Sequence, residues 1–254
     1  MYPVLFTVGG VPVLSYAVFV GLGFLAAYGI RRQEVQRLGY ARTPGHRFVA
    51  LGALFGAMIG SKIGMVLFAT DMQALWAAAL NMDFTGKTVI GGIGGAYVGV
   101  EICKRIVGVK HSTGDAFAVS VPIAQALGRI GCFLHGCCPG AHSEGLFAIG
   151  GRLPQQLYES VADFALAGAL WAIREKPRPS GQLFRYYLAG YATIRFMLEY
   201  IRDDVGPTWL FTPVQWVCAA TMLAVGLHKA AAGAAAGAAA VTARASSEPP
   251  PAHP

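Results

Sequence analysis

Seven stretches of roughly 17–23 mostly apolar residues, the length a helix needs to cross the hydrocarbon core of a bilayer, fill most of this chain. They cover residues 13–30, 48–69, 89–107, 117–134, 158–173, 183–201 and 211–228. In lipid every backbone N–H and C=O must be satisfied internally, which leaves helices and closed barrels as the only spanning structures. Runs this long predict helices, so the expected fold is an all-α membrane protein with about seven transmembrane helices. Composition agrees, since only 13% of the residues are charged and 55% are hydrophobic, against about 25% charged in a soluble domain. The third and fourth runs are the least regular. Gly91, Gly92, Gly94 and Gly95 crowd one and Pro122 interrupts the other, although both residue types are commoner in membrane helices than in soluble ones.

The net charge of +7 is sorted by loop and is no nucleic-acid footprint. Arg31, Arg32, Arg37, Arg42 and Arg47 follow the first run, Lys104, Arg105 and Lys110 the third, and Arg174, Lys176, Arg178 and Arg185 the fifth; Lys229 and Arg244 follow the seventh. The intervening loops hold only Lys87, Arg152 and Arg202. Basic loops stay on the cytoplasmic side, so the N-terminus is expected outside and the C-terminus in the cytoplasm. Residues 1–12 have no basic leader and no small-residue cleavage site; they read as an outside segment turning at Gly9-Gly10. After Lys229 the chain becomes Ala-rich and then Pro-rich. Residues 1–229 are expected to form the membrane domain and 230–254 a disordered cytoplasmic tail.

Charges inside these runs are expensive and need a partner or a task. Arg195 and Glu199 are one turn apart and share a helix face. With about 1.5 Å of rise per residue and the orientation above, Arg129, Arg195, Glu199, Glu159, Tyr16 and Lys62 fall at one depth near the outer surface. A cavity opening toward the outer leaflet satisfies them together, and its guanidinium groups suit a phosphate through their bidentate donors. Each residue also has a plain structural role open to it: a neutralised ion pair for Arg195 and Glu199, a snorkelling Lys62, an interfacial Tyr16. Asp163 reads as a deeper member of the cavity or as a packing partner, and Glu101 as structural beside Lys104 and Arg105.

The ordered motifs resemble the bacterial prolipoprotein diacylglyceryl transferase family. They are a Tyr16-containing first run, Gly60-Ser61-Lys62-Ile63-Gly64, Gly86-Lys87-Thr88-Val89-Ile90-Gly91-Gly92, Gly128-Arg129-Ile130-Gly131, Pro154-Gln155-Gln156-Leu157-Tyr158-Glu159 and Arg195-Phe196-Met197-Leu198-Glu199-Tyr200-Ile201-Arg202. The resemblance implies a multi-pass enzyme of the bacterial cytoplasmic membrane that needs no cofactor. It implies a reaction in which the diacylglyceryl group of phosphatidylglycerol moves onto the cysteine thiol of a prolipoprotein signal peptide, releasing glycerol phosphate. Partners would be those substrates and the surrounding membrane lipids. Carried over residue by residue, it gives catalytic roles to Arg129, Arg195, Glu199 and Tyr16. It gives substrate contacts to Arg129, Gly140, Gln156, Tyr158, Glu159, Arg202, Gly91 and Gly92.

Several family positions are altered. Ile90 and Leu153 stand where the family usually has His, and Cys132, His135 and Cys137 stand at its Asn, Asn and Glu positions. His135 is the expected substitute base, because a His titrating near neutrality accepts a thiol proton. The grouping of His135, Cys137, Cys138 and His142 has three readings: metal ligands, a disulfide-exchanging pair on an oxidising face, or inert cysteines. Cys103 and Cys218 read as packing residues. Two functions of other classes stay open beside transfer, a membrane thiol-redox or metal protein and a lipid-binding or transport protein. Small-residue spacing at Gly56, Gly60 and Gly64 favours close helix contacts, and no half-repeat of the transporter kind is visible.

Overall fold

A computed structural model describes residues 2–40, 45–67, 89–202 and 211–247. Gly86, Lys87 and Thr88 of the third motif, Arg42 and the last tail residues lie outside the described residues. A hairpin of β1 (Val4–Val8) and β2 (Val11–Leu14) leads into α1 (Ser15–Arg37). Then follow α2 (His46–Leu67), α3 (Val89–Val107), a short turn of helix at Gly114–Ala116, α4 (Ser120–His135), α5 (Gln155–Ile173), α6 (Gln182–Leu198), a second short turn at Glu199–Ile201, and α7 (Pro213–Ser247). The helices follow the apolar runs.

The hairpin exists because Gly9 and Gly10 both adopt positive φ, +57° and +85°, as a two-residue turn matched to strand twist requires. Two strands alone are marginal. This pair is fastened at its base, where Tyr2 N–H donates to Leu134 O at 2.8 Å and Ser15 N–H to Pro3 O at 3.0 Å. It therefore ties the start of α1 to the end of α4.

Two groups of helices enclose the centre. In one, α4 packs against α1 and α5, α6 against α5, and α7 against α6. Its buried cluster comprises Ala118, Val119, Leu170, Leu183, Tyr187 and Tyr191. Asp115 holds this end together by accepting the N–H groups of Gly181 (2.7 Å) and Phe184 (3.0 Å) at the start of α6. In the other group α2 and α3 pack chiefly on each other, and the contact is backbone on backbone. A Cβ on Gly95 would lie 2.1 Å from Gly56 O, one on Gly99 2.1 Å from Gly52 O, and one on Gly60 2.3 Å from Gly91 O. Small residues permit such approach, and dispersion between close backbones then replaces the hydrophobic drive that lipid does not supply.

Outward-facing positions are apolar. Leu25, Phe48, Phe55, Ile59, Ile102, Ile106, Val161, Leu223 and Leu227 are all exposed and lie outside the wall of the central cavity, and apolar surface of this kind marks an interaction with membrane or partner. Among the described residues one segment, His46–Gly64 of α2, is long and apolar enough to cross a membrane by length and composition, with a mean hydropathy of 1.3. The other expected spans differ for identifiable reasons: α4 and α6 have 16 and 17 residues, and α1 and α5 carry polar groups such as Arg31, Glu34, Gln155 and Asp163 that lower the mean. The last helix, α7, runs through the Ala-rich segment as far as Ser247, alanine having the highest helix propensity.

The glycine contact generates a sharp expectation. Gly95→Ala should destabilise the protein by about 1–3 kcal/mol through overpacking. Gly94→Ala, where an added Cβ meets nothing within 4 Å, should be neutral or stabilising by up to about 1 kcal/mol through helix propensity. Thermal melting of the purified variants checks this; equal melting temperatures would remove the close contact from the account.

Candidate active site

Between the two helix groups lies a cavity of about 1760 Å³. One end is built by α1, α4, α5 and the start of the 136–153 loop. Gly131 permits α1 to approach, since a Cβ there would sit 2.9 Å from Phe19 Cβ and 3.3 Å from Tyr16 Cα. That approach sets Tyr16 beside Arg129, Cys132 and Cys137. His135 lies at the end of α4 with its ring centroid 6.3 Å from that of Tyr16, and its buried Nδ1 has no partner. Gly136, at φ +84°, ends the helix; its N–H and that of Cys137 both reach Cys132 O, at 3.0 and 3.2 Å. Such a turn satisfies orphan carbonyls and reverses the chain.

Arg129 is held by a carboxylate thirty residues away in sequence: its Nε lies 2.9 Å from Glu159 Oε2. Tyr191 O–H donates to the other Glu159 oxygen at 3.4 Å. Arg195 Nη2 lies 2.7 Å from Glu199 Oε2, both residues being buried. Glu199 also accepts from Thr212 Oγ1 at 3.2 Å and sits 3.8 Å from Arg202 Nη1, while Arg195 Nη1 is left without a partner. Two guanidiniums are thus each fixed by a carboxylate. Glu159 and Glu199 lie against Arg129 and Arg195, and Glu199 also faces Arg202.

The sequence expectations separate into wall and support. Tyr16, Arg129, His135, Glu159, Arg195 and Arg202 line the cavity, as do Gln156 and Gly92. Behind the wall, Glu199 orients Arg195, and Gly91 O packs on Gly60. Gly140 is wedged where a Cβ would lie 2.7 Å from Leu153 O and 2.9 Å from Ile201 O. Tyr158 O–H donates to Phe147 O at 3.0 Å in the loop, away from the cavity. Gln156 Nε2 donates to Cys137 O at 2.7 Å and pins that loop to α5. Lys62 is half-buried and outside the wall; Asp163 is fully buried behind it, with both carboxyl oxygens unpartnered. Gln125, Cys132 and Gln155 line the cavity too. Gln125 carried no sequence signal, because an amide in an apolar run reveals no direction, whereas Gln155 stands in one of the quoted motifs.

Among the described residues no set of three or more His, Cys, Asp or Glu side chains is arranged to hold a metal ion. Arg152 Nη2 lies 2.7 Å from His142 Nε2 instead. The Cys137 thiol is pushed up first by its hydrogen bond to Cys132, and the Cys138 thiol well above the thiol range first by its bond to Cys137. Thiolates are the nucleophiles of disulfide exchange, and both shifts disfavour that form. Lys104 pairs with Glu101 at 2.9 Å, Cys103 faces Gly52 and Cys218 is buried, all consistent with structural roles.

The ion pair has a measurable cost. Glu159→Gln leaves the Arg129 charge uncompensated and should destabilise by about 3–5 kcal/mol. Replacing both residues by Met should recover most of that loss. Unfolding in detergent checks it, and an additive double mutant would show that the two side chains are not coupled.

The chain is similar along most of its length to known proteins. Residues 3–230 match the family described as prolipoprotein diacylglyceryl transferase. A relative from Clostridium tetani named phosphatidylglycerol–prolipoprotein diacylglyceryl transferase is 30% identical over 218 residues, covering 80% of this chain and 86% of its own. Relatives of the same name from Vibrio vulnificus (33% over 227 residues, 82% of each chain) and Geobacter sulfurreducens (30% over 219 residues, 79% and 82%) agree. The chain belongs to the prolipoprotein diacylglyceryl transferase family.

Proposed function

We propose that the protein transfers the diacylglyceryl group of phosphatidylglycerol to the cysteine thiol of prolipoprotein signal peptides. The observation that carries the reading is the pair of guanidiniums, Arg129 and Arg195, in one cavity wall, each fixed by a carboxylate, with Arg195 Nη1 left unpartnered. A phosphodiester accepts such forks bidentately. In the reaction the peptide sulfur attacks the glyceryl carbon, a C–S bond forms, the C–O bond to phosphate breaks, and glycerol phosphate departs. The leaving phosphate gains negative charge as that bond breaks. Donors already aimed at it lower the barrier, because no reorganisation is needed at that moment. Glu159 and Glu199 are positioning residues that hold the two arginines, while Tyr16 stands beside the reacting headgroup.

The thiol proton requires an acceptor. His135 is our assignment, supported by its place in the cavity wall next to Tyr16 and by the unpartnered Nδ1. Residues 1–229 form the membrane unit and 230–254 a cytoplasmic tail. The protein crosses the bacterial cytoplasmic membrane about seven times, with its N-terminus and the Arg129 end of the cavity outside. The grouping of basic residues into alternate loops supports this orientation.

A reporter active only outside the cytoplasm should therefore work when fused after Gly150 and fail after Arg178; the opposite pattern would refute the orientation. For the chemistry, the purified protein in phosphatidylglycerol vesicles should add a diacylglyceryl group to a signal peptide with its cysteine and none to a Cys→Ser peptide. Arg129→Lys and Arg195→Lys should impair turnover while leaving folded protein in the membrane. His135→Ala should slow it by about 10²–10⁴; a wild-type rate in that variant rejects the base, and wild-type rates in both Lys variants reject the clamp.

A further inference from the structure

The cavity has a second polar end that the transfer chemistry does not use. On α1 the fifteen residues from Tyr16 to Arg31 correspond to about 22 Å of helix, and both line the same cavity. Arg31 is fixed there by the Phe117 ring, 4.8 Å from its guanidinium carbon, and by donation from Nη2 to His46 O at 3.2 Å. Its Nε is buried without a partner. Thr113 is only 6% exposed, lines the same end, and its hydroxyl has no partner either. Arg32 and Arg47 also belong to this wall.

The carboxylates in the neighbourhood are already engaged. Glu34 is held by Arg37 and, at 3.6 Å, by Arg174; Asp115 accepts two backbone N–H groups; Glu101 pairs with Lys104. A buried donor left unmade costs its full desolvation, and here one belongs to a cation. The group that relieves both donors accepts several hydrogen bonds and carries negative charge. We propose that this end of the cavity is an anion site that binds a phosphate group through Arg31 Nε and Thr113 Oγ1, with Arg32 and Arg47 adding charge. The phosphate belongs either to an anionic lipid, whose chains would occupy the apolar middle lined by Leu54, Ile93, Ala96 and Val121, or to a soluble phosphate ester. The site is independent of the transferase reading, which rests on the opposite end.

The test uses the purified, delipidated full chain and counts bound ligands by native mass spectrometry. Probes are phosphatidylglycerol, phosphate-free diacylglycerol and glycerol phosphate, on wild type, Arg31→Gln and the near-isosteric Thr113→Val. Wild type should hold one phosphate ligand more than either variant, and affinity at that position should fall about tenfold or more with loss of a hydrogen bond to a charged group. Diacylglycerol uptake should not change. Loss for phosphatidylglycerol alone identifies a lipid as the source, and loss for glycerol phosphate a soluble ester. Unchanged counts in both variants would overturn the site, as would a loss confined to Arg31→Gln, which reports disturbed packing. If the Arg129 end binds nothing, wild type holds one ligand and the variants none, so failure of the transferase reading stays distinguishable.

Discussion

The contact between Arg129 and Glu159 fixes more of this molecule than any other polar interaction. A guanidinium in an apolar interior is expensive alone, and its 2.9 Å contact with Glu159 fastens α4 to α5 at the depth where the cavity begins. Around that pair the Ser160 hydroxyl donates to Ala126 O at 3.0 Å, and Tyr191 reaches Glu159 from α6. Three helices are thereby locked in register about one charge. Arg195 and Glu199 repeat the device at the end of α6, where Thr212 and Arg202 complete the network. Because a carboxylate positions each arginine, neither guanidinium has to be ordered by its ligand, and ordering that occurs before binding is not charged against affinity.

The opposite wall is made without charge. Glycines on α2 and α3 bring the two backbones together, so the pair holds as a unit while making only slight contact with the other helices. The cavity is the space between a wall cross-linked by ion pairs and a wall joined by backbone contact. Its lining is mixed: charged and polar groups such as Arg129, Arg195 and Arg31 stand among small and apolar side chains such as Leu54, Ile93 and Ala96. An amphiphile with a charged head and long chains is what such a space accommodates.

The elements with local causes were legible in the sequence. Helix positions followed the apolar runs, the hairpin followed Gly9-Gly10, and the Arg195–Glu199 pair followed its spacing of four. The partner of Arg129 was not legible, because thirty residues and a loop separate it from Glu159. Tyr16 and Arg129 meet only because Gly131 lets α1 approach α4. Gly140 and Tyr158 were grouped with the site by their place in the motifs, but the structure puts them among the supports that shape the 136–153 loop. Arg31 and Arg32 read as topology signals alone, since nothing in a run of basic residues reveals that one of them turns inward against Phe117. Hydropathy was the coarsest guide. The polar groups of the cavity lower the apolar character of α1 and α5, and α4 and α6 are short, so among the described residues one segment is long and apolar enough to cross a membrane.

The site keeps Arg129 and Arg195 while Cys132, His135 and Cys137 stand at other motif positions, and we propose that phosphate recognition together with His135 suffices for transfer. The most direct test is complementation: expression of this chain in a bacterium depleted of its own diacylglyceryl transferase. Restored growth and thioether-modified lipoproteins are expected, with loss of both in Arg129→Lys. Continued growth arrest and unmodified lipoproteins, with the wild-type protein folded and present in the membrane, would contradict the proposal.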